Sequence, residues 1–174
     1  KKGAARLDPA RLADQAILKP GDVVNLKVDV APAPLIQPLQ AKATELLPAR
    51  LKEASMEVAG SGKVLLNVRI SLKALGNQNL TKLGSTTVSE SVTRKAVAID
   101  LVYQDRGKEI WKSTRTVGNL DRILVRLKPG EAAQTALDTQ MIEQAENVLA
   151  SLKLPSFIFG DNASKGLGTS VVGR

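Results

Sequence analysis

Apolar residues recur at every second position in some stretches of this chain and at every third or fourth position in others. Val24, Leu26, Val28 and Val30 alternate with Asn25, Lys27 and Asp29. That period of two predicts a strand with one buried face, closed by Pro32 and Pro34. Val64, Leu66, Val68, Ile70 and Leu72 repeat the pattern, with Leu65, Asn67, Arg69 and Ser71 between them. A long strand is expected from Val88 to Tyr103, with Val97, Ile99, Leu101 and Tyr103 on one face. Asp105-Arg106-Gly107-Lys108 then reads as a hairpin turn, Gly107 supplying a positive φ. Glu109 to Val117 returns as the next strand. Residues 75–86 read as a polar loop, and 118–128 as a loop or a short extra element.

Helical spacing appears in two places. Leu35, Ile36, Leu39, Ala43, Leu46, Leu47 and Leu51 fall on one stripe, within which Pro48 is expected to kink or divide the helix. Ala133, Leu137, Met141, Ala145, Val148 and Leu152 form the stronger stripe, and Pro155 stops it. Phe157-Ile158-Phe159 is expected to add an edge strand or to pack on the core. The order is strand, helix, strand, strand, strand, helix (βαβββα). It predicts an α+β fold: a two-layer sandwich in which a mixed four-stranded sheet is covered by two helices. Residues 1–20 read as an N-terminal arm, 21–159 as a single α+β domain, and 160–174 as a flexible Gly/Ser-rich tail.

The chain has 174 residues, 43% hydrophobic and 24% charged, which suits one soluble domain with a real core. Aromatics make up only 2%, so that core is built from Leu, Val, Ile and Ala. There is no cysteine and no histidine. Disulfides, thiolate metal sites and thiol nucleophiles are thereby excluded, as is a Ser-His-Asp arrangement. The commonest neutral-pH general base is also missing. No apolar run is long enough for a transmembrane helix. The first residue is Lys, so a processed product or a piece of something longer is expected.

Net charge is +8, and it is unevenly spread. Residues 61–130 hold 13 basic and 5 acidic groups, whereas residues 131–174 are net acidic. Such an excess attracts polyanions or simply solvates a surface. Arg94, Lys95, Arg106, Lys108, Lys112 and Arg115, with Trp111, form the candidate binding set of the hairpin. In the alternation Lys95 belongs with Val97 and Ile99, Arg94 with Ala96 and Ala98. Trp111, Ser113 and Arg115 share a face, and Lys112 lies on the other. Readers of single-stranded nucleic acid need aromatic stacking platforms, and one Trp with one Tyr supplies few.

Catalytic candidates are weak. Asp100, Asp105 and Glu109 gather near a turn, where solubility explains them. The Ser/Thr run 85–93 has no His or Cys to work with, and no Ser-x-x-Lys motif at a helix start offers a Ser-Lys dyad; Ser and Thr are good exposed strand residues. Asp8, Asp14 and Asp22 lack calcium-loop spacing, and the tail glycines open no helix. No catalytic residue, no metal site and no small-molecule cofactor is expected.

The segment from Ala98 to Ser113 resembles the hairpin of small bacterial cell-envelope domains, the CsgG-like and LpoB-like lipoprotein group. Asp105, Gly107, Ile110 and Trp111 carry the likeness, which extends over roughly residues 21–153. In that group a strand–helix–strand opening precedes the hairpin and a long helix follows it. Leu18-Lys19-Pro20-Gly21 is similar to the opening turn of C-terminal modules of planctomycete envelope proteins. The resemblance implies a non-enzymatic binding or scaffold domain of the cell envelope or periplasm, with the cytoplasm left open. It would act through a protein partner or self-assembly. The lipidated Cys of the lipoproteins has no counterpart here. The alternative reading is a basic module binding nucleic acid or another polyanion.

Overall fold

A computed structural model describes residues 15–81, 88–118 and 129–159. Its strands and α-helices are β1 (Ala16–Leu18), β2 (Val23–Val30), α1 (Pro38–Glu53), β3 (Glu57–Val58), β4 (Val64–Thr81), β5 (Val88–Asp105), β6 (Lys108–Gly118), α2 (Ala133–Ser151) and β7 (Ile158–Phe159), with a short 3-10 helix, Pro34–Ile36, ahead of α1. The α+β class and the two helices agree with the sequence. The sheet is five-stranded rather than four-stranded, in the order β3-β2-β4-β5-β6. The extra strand is Glu57–Val58, which runs parallel to Val23–Val24. Two exposed residues have no alternation to detect, and Met56, buried just before them, is what brings them alongside β2. A second, two-stranded sheet joins β1 to β7, pairing Leu18 with Ile158. Phe157-Ile158-Phe159 thus yields a short strand, with Ile158 in the core and Phe159 exposed.

β2 and β4 are parallel, and β4, β5 and β6 form an antiparallel meander. The alternation read from the sequence sorts most side chains as expected, although Asn67, Ala96 and Ala98 of the other face are buried too and Leu26, Val28 and Val30 only partly so. Val24, Leu66, Val68, Ile70, Val97, Ile99, Leu101 and Tyr103 are buried under the helices. From the helices, Leu39, Ala43, Leu47 and Leu51 of α1 and Met141, Ala145 and Leu149 of α2 fill the same core. Each fully buried Leu or Ile contributes about 1.5–3 kcal/mol relative to exposure. Pro48 lies inside a single helix and does not divide it. It removes one backbone donor, but Leu47 and Leu51 on either side are fully buried and hold the turn in place.

The crossover from β2 to β4 closes through a tight contact. The Asn25 amide donates to the Gly62 carbonyl at 2.8 Å and accepts from the Gly62 N–H at 3.0 Å. A Cβ at position 62 would sit 2.5 Å from the Val23 carbonyl oxygen, so only glycine fits.

Residues 75–81, read as loop, instead continue β4, and 82–87 lie outside the described residues. β4 and β5 remain paired to Thr81↔Val88. This ribbon outruns both neighbours, since β2 ends at Val30↔Ile70 and β6 at Gly118↔Ala96. Asn77, Asn79, Thr81 and Ser91 on it are exposed, whereas Gln78, Glu90 and Thr93 are half-buried, and Leu80 and Val92 pack on Ala133 and Leu137 of α2. Residues 1–14, 119–128 and 160–174 are also outside the described set, and with them most of the arm, the ambiguous stretch and the tail.

Candidate functional site

The hairpin turn is a two-residue loop in which Asp105 pairs with Lys108. Both central residues have positive φ, 50° at Arg106 and 83° at Gly107. That is the geometry whose twist matches the flanking strands, and it points the Arg106 side chain outward from the tip. Just beyond, the register slips: Tyr103 pairs with Trp111 and Gln104 with Glu109. Ile110 is the extra residue of this β-bulge. The strict alternation places Ile110 opposite to Trp111, over the other sheet face. The bulge changes that, and both side chains pack against the core cluster.

Tyr103 is the fully buried aromatic of the pair, and Trp111 is half-buried. Their ring centroids are 5.7 Å apart at an interplanar angle of 58°, a tilted contact favoured by the ring quadrupoles. The Tyr103 hydroxyl donates to Met56 Sδ at 3.8 Å, a weak acceptor. Burial pushes that hydroxyl well above the ordinary tyrosine range.

The seven candidate residues do not form one patch. Lys95, Trp111 and Arg115 stand on the helix side, opposite Ala74, Tyr103 and Ile99. Arg94 and Lys112 stand on the other side, here called the open face, opposite Gly76 and Val102. Arg106 and Lys108 sit at the turn. Lys95 is half-buried and committed within the fold: its Nζ lies 2.8 Å from Asp138 Oδ2 on α2. Gln134 donates to the same carboxylate at 2.9 Å. Arg94 donates to the Leu75 carbonyl at 3.3 Å, bracing the bulge in β4. Lys112 and Arg115 are exposed.

The open face carries residues that alternation alone did not single out. Asp29, Arg69, Asp100 and Thr114 lie directly opposite one another across β2, β4, β5 and β6. The Thr114 hydroxyl donates to Asp100 at 2.5 Å, and Lys27 pairs with Asp29 at 2.9 Å. Charges of both signs therefore interleave along this row. Only the strand register brings these four together, so no local sequence signal would have found them. A groove of about 360 Å³ lies at one end of the sheet, lined by Lys19, Asp22, Ser61 and Lys63 among others.

One feature of the sheet stands apart from its side chains. β6 is an edge strand of 11 residues, and among the described residues no strand pairs with its outer side. It contains no proline. Such an edge presents a row of backbone donors and acceptors to whatever approaches it.

Among the described residues no helix is long and apolar enough to cross a membrane. No protein-family model matches the chain, and no curated protein matches it in sequence. Solved structures do resemble it. A neuraminyllactose-binding hemagglutinin homolog from Helicobacter pylori is 12% identical with a TM-score of 0.48, covering 76% of this chain and 84% of its own. The rare lipoprotein B of Shewanella oneidensis is 15% identical with a TM-score of 0.36, covering 72% and 89%. A minor lipoprotein from Acinetobacter baumannii is 14% identical with a TM-score of 0.30, covering 77% and 96%.

Proposed function

We propose that this chain is a non-enzymatic binding or scaffold domain of the bacterial cell envelope, acting through protein–protein contacts at the β6 edge of its sheet. The observation that carries the reading is the 11-residue edge strand itself. Strand addition to an open edge gives affinity through main-chain hydrogen bonds and specificity through alternate side chains. Lys112 and Arg115 discourage indiscriminate pairing along this edge. The likeness of Asp105, Gly107, Ile110 and Trp111 to the envelope hairpin supports the location. The polyanion reading draws less support, because Asp29 and Asp100 flank Arg69 on the open face.

The test is site-specific photo-crosslinking in the native host, with the protein expressed with its native N-terminus. Probes at Lys112 and Thr114 are expected to trap an envelope protein or a second copy, whereas a probe at Lys42 on α1 is not. Crosslinks from Lys42 and none from β6 overturn the edge as the contact. Recovery wholly in the cytosolic fraction overturns the location.

A further inference from the structure

We infer that the partner taken by β6 is a second copy of this chain, joined by antiparallel pairing of the two β6 strands about a two-fold axis at Ser113. The inference rests on the edge reading above and adds the identity of the occupant. It follows from the residues of β6 and the geometry of strand pairing.

A symmetric edge-to-edge contact places the two-fold axis perpendicular to the sheet. Strands then run antiparallel, and directly opposed residues share a face. Because the side-chain period is two, the residue on the axis meets its own copy, and the alternatives differ in which residue that is. With Lys112 on the axis, two ammonium groups oppose each other. With Arg115 on the axis, two guanidinium groups do. Like charges directly opposite destabilise a strand pair. With Thr114 on the axis, Trp111 faces Val117 and Thr114 faces its own copy, both mildly favourable, but Arg115 faces Ser113 and no cation meets a ring.

With Ser113 on the axis, every opposition between residues 111 and 115 is favourable or neutral. Lys112 faces Thr114 of the second copy. Trp111 faces Arg115 of the second copy, and by symmetry the contact occurs twice. Both side chains already stand on the helix side of the sheet, across from Tyr103 and Ile99. Trp111 is half-buried with its ring held against Tyr103. Arg115 is exposed. A guanidinium over an indole face is the strongest common cation–π arrangement. The two small hydroxyls of Ser113 meet at the axis, where the strands come closest. The strand is thus most self-complementary about Ser113, where two Trp–Arg contacts form, less so about Thr114, and repulsive about Lys112 and Arg115.

The chain lacks cysteine, so a single introduced thiol reports the register without interference. In the inferred dimer the two copies of residue 113 are direct neighbours, within disulfide reach. Residue 116 is offset from its own copy by about 20 Å. Ser113→Cys is expected to give a disulfide-linked dimer on mild oxidation, and Thr116→Cys to stay monomeric. Sedimentation of the unmodified chain is expected to show a monomer–dimer equilibrium. Arg115→Ala is expected to raise its dissociation constant about tenfold through loss of two Trp–Arg contacts. The inference is overturned if the chain sediments as a monomer at high micromolar concentration and Ser113→Cys crosslinks no faster than Thr116→Cys. If β6 probes nevertheless trap a different envelope protein in cells, the edge reading stands without the self-pairing. If they trap nothing, both fall.

Discussion

Gln134 uses both ends of its side-chain amide on the backbone of Thr93. The Thr93 N–H donates to Gln134 Oε1 at 2.8 Å, and Gln134 Nε2 donates to the Thr93 carbonyl at 3.2 Å. Among the described residues β6 ends at Gly118↔Ala96, so none of their strands pairs with the outer side of β5 at Thr93. One side chain from the first turn of α2 bonds both backbone groups of Thr93 as a neighbouring strand would. The Ala133 N–H donates to the Glu90 side chain at 3.1 Å, which ties the start of the helix to the same edge.

Replacing Gln134 with Ala leaves the Thr93 backbone groups partly buried without partners. An expected cost is about 1–3 kcal/mol in urea denaturation. Faster amide exchange at Thr93 than at Val97 is expected to accompany it, because Val97 keeps its partner in β6. Unchanged exchange at Thr93 would show that water replaces the amide freely.

Lys95 and Asp138 are expected to be energetically coupled, since the carboxylate also accepts from Gln134. Their side chains are only 22% and 18% exposed. A double-mutant cycle with Lys95→Met and Asp138→Asn is expected to return a coupling of about 0.5–1.5 kcal/mol, above the usual surface pair. A coupling near zero would mean that Gln134 alone orders this corner.

The hairpin tip offers a gain rather than a loss. Arg106 holds φ at 50°, a conformation Asn adopts more readily than Arg. Arg106→Asn is expected to stabilise the protein by about 0.5–1 kcal/mol, while Gly107→Ala is expected to cost about 1–2 kcal/mol. The urea midpoints of the two variants should move in opposite directions.

Much of this architecture is legible in the chain because its signal is local. The alternation at Val64–Leu72 and Val97–Tyr103, the Arg106-Gly107 turn and the stripe from Ala133 to Leu149 each sit within one element. What escaped depends on contacts distant in sequence. Glu57–Val58 is a strand only because Met56 is buried and Val23 lies alongside. Leu18 pairs with Ile158, some 140 residues away. Asn77 and Gln78 look like loop, yet pairing with Thr93 and Val92 makes them strand. The basic set of the hairpin divided for the same reason. Alternation assigned each residue to a face, but Asp138, the partner of Lys95, lies 43 positions along the chain.

The crossover at Gly62 is expected to tolerate no side chain. Gly62→Ala forces a Cβ to within 2.5 Å of the Val23 carbonyl and also disturbs both bonds to Asn25. A loss of about 1–3 kcal/mol is expected, typical of overpacking at a rigid site. Gly60→Ala, with nothing within 4 Å of the added carbon, serves as the matched control and should change stability little.

Tyr103 gives the protein a specific alkaline weakness. Its hydroxyl is buried and donates to the Met56 sulfur, and that burial holds the phenolic proton well above the usual tyrosine range in the folded state. The unfolded chain releases that proton near pH 10, the ordinary value. Below that pH both states are protonated and this group contributes its full stabilisation. Above it only the unfolded state ionises, and stability falls by up to about 1.4 kcal/mol per pH unit. Tyr103→Phe removes the ionisation and loses only a weak hydrogen bond, so at neutral pH it is expected to cost less than about 1 kcal/mol. Denaturation of both proteins below and above about pH 10 isolates this group, because the phenol is the one difference between them. The stability difference should shrink as pH rises and then reverse in favour of Tyr103→Phe. A difference that stays constant across the range would mean that the phenol reaches water in the folded state.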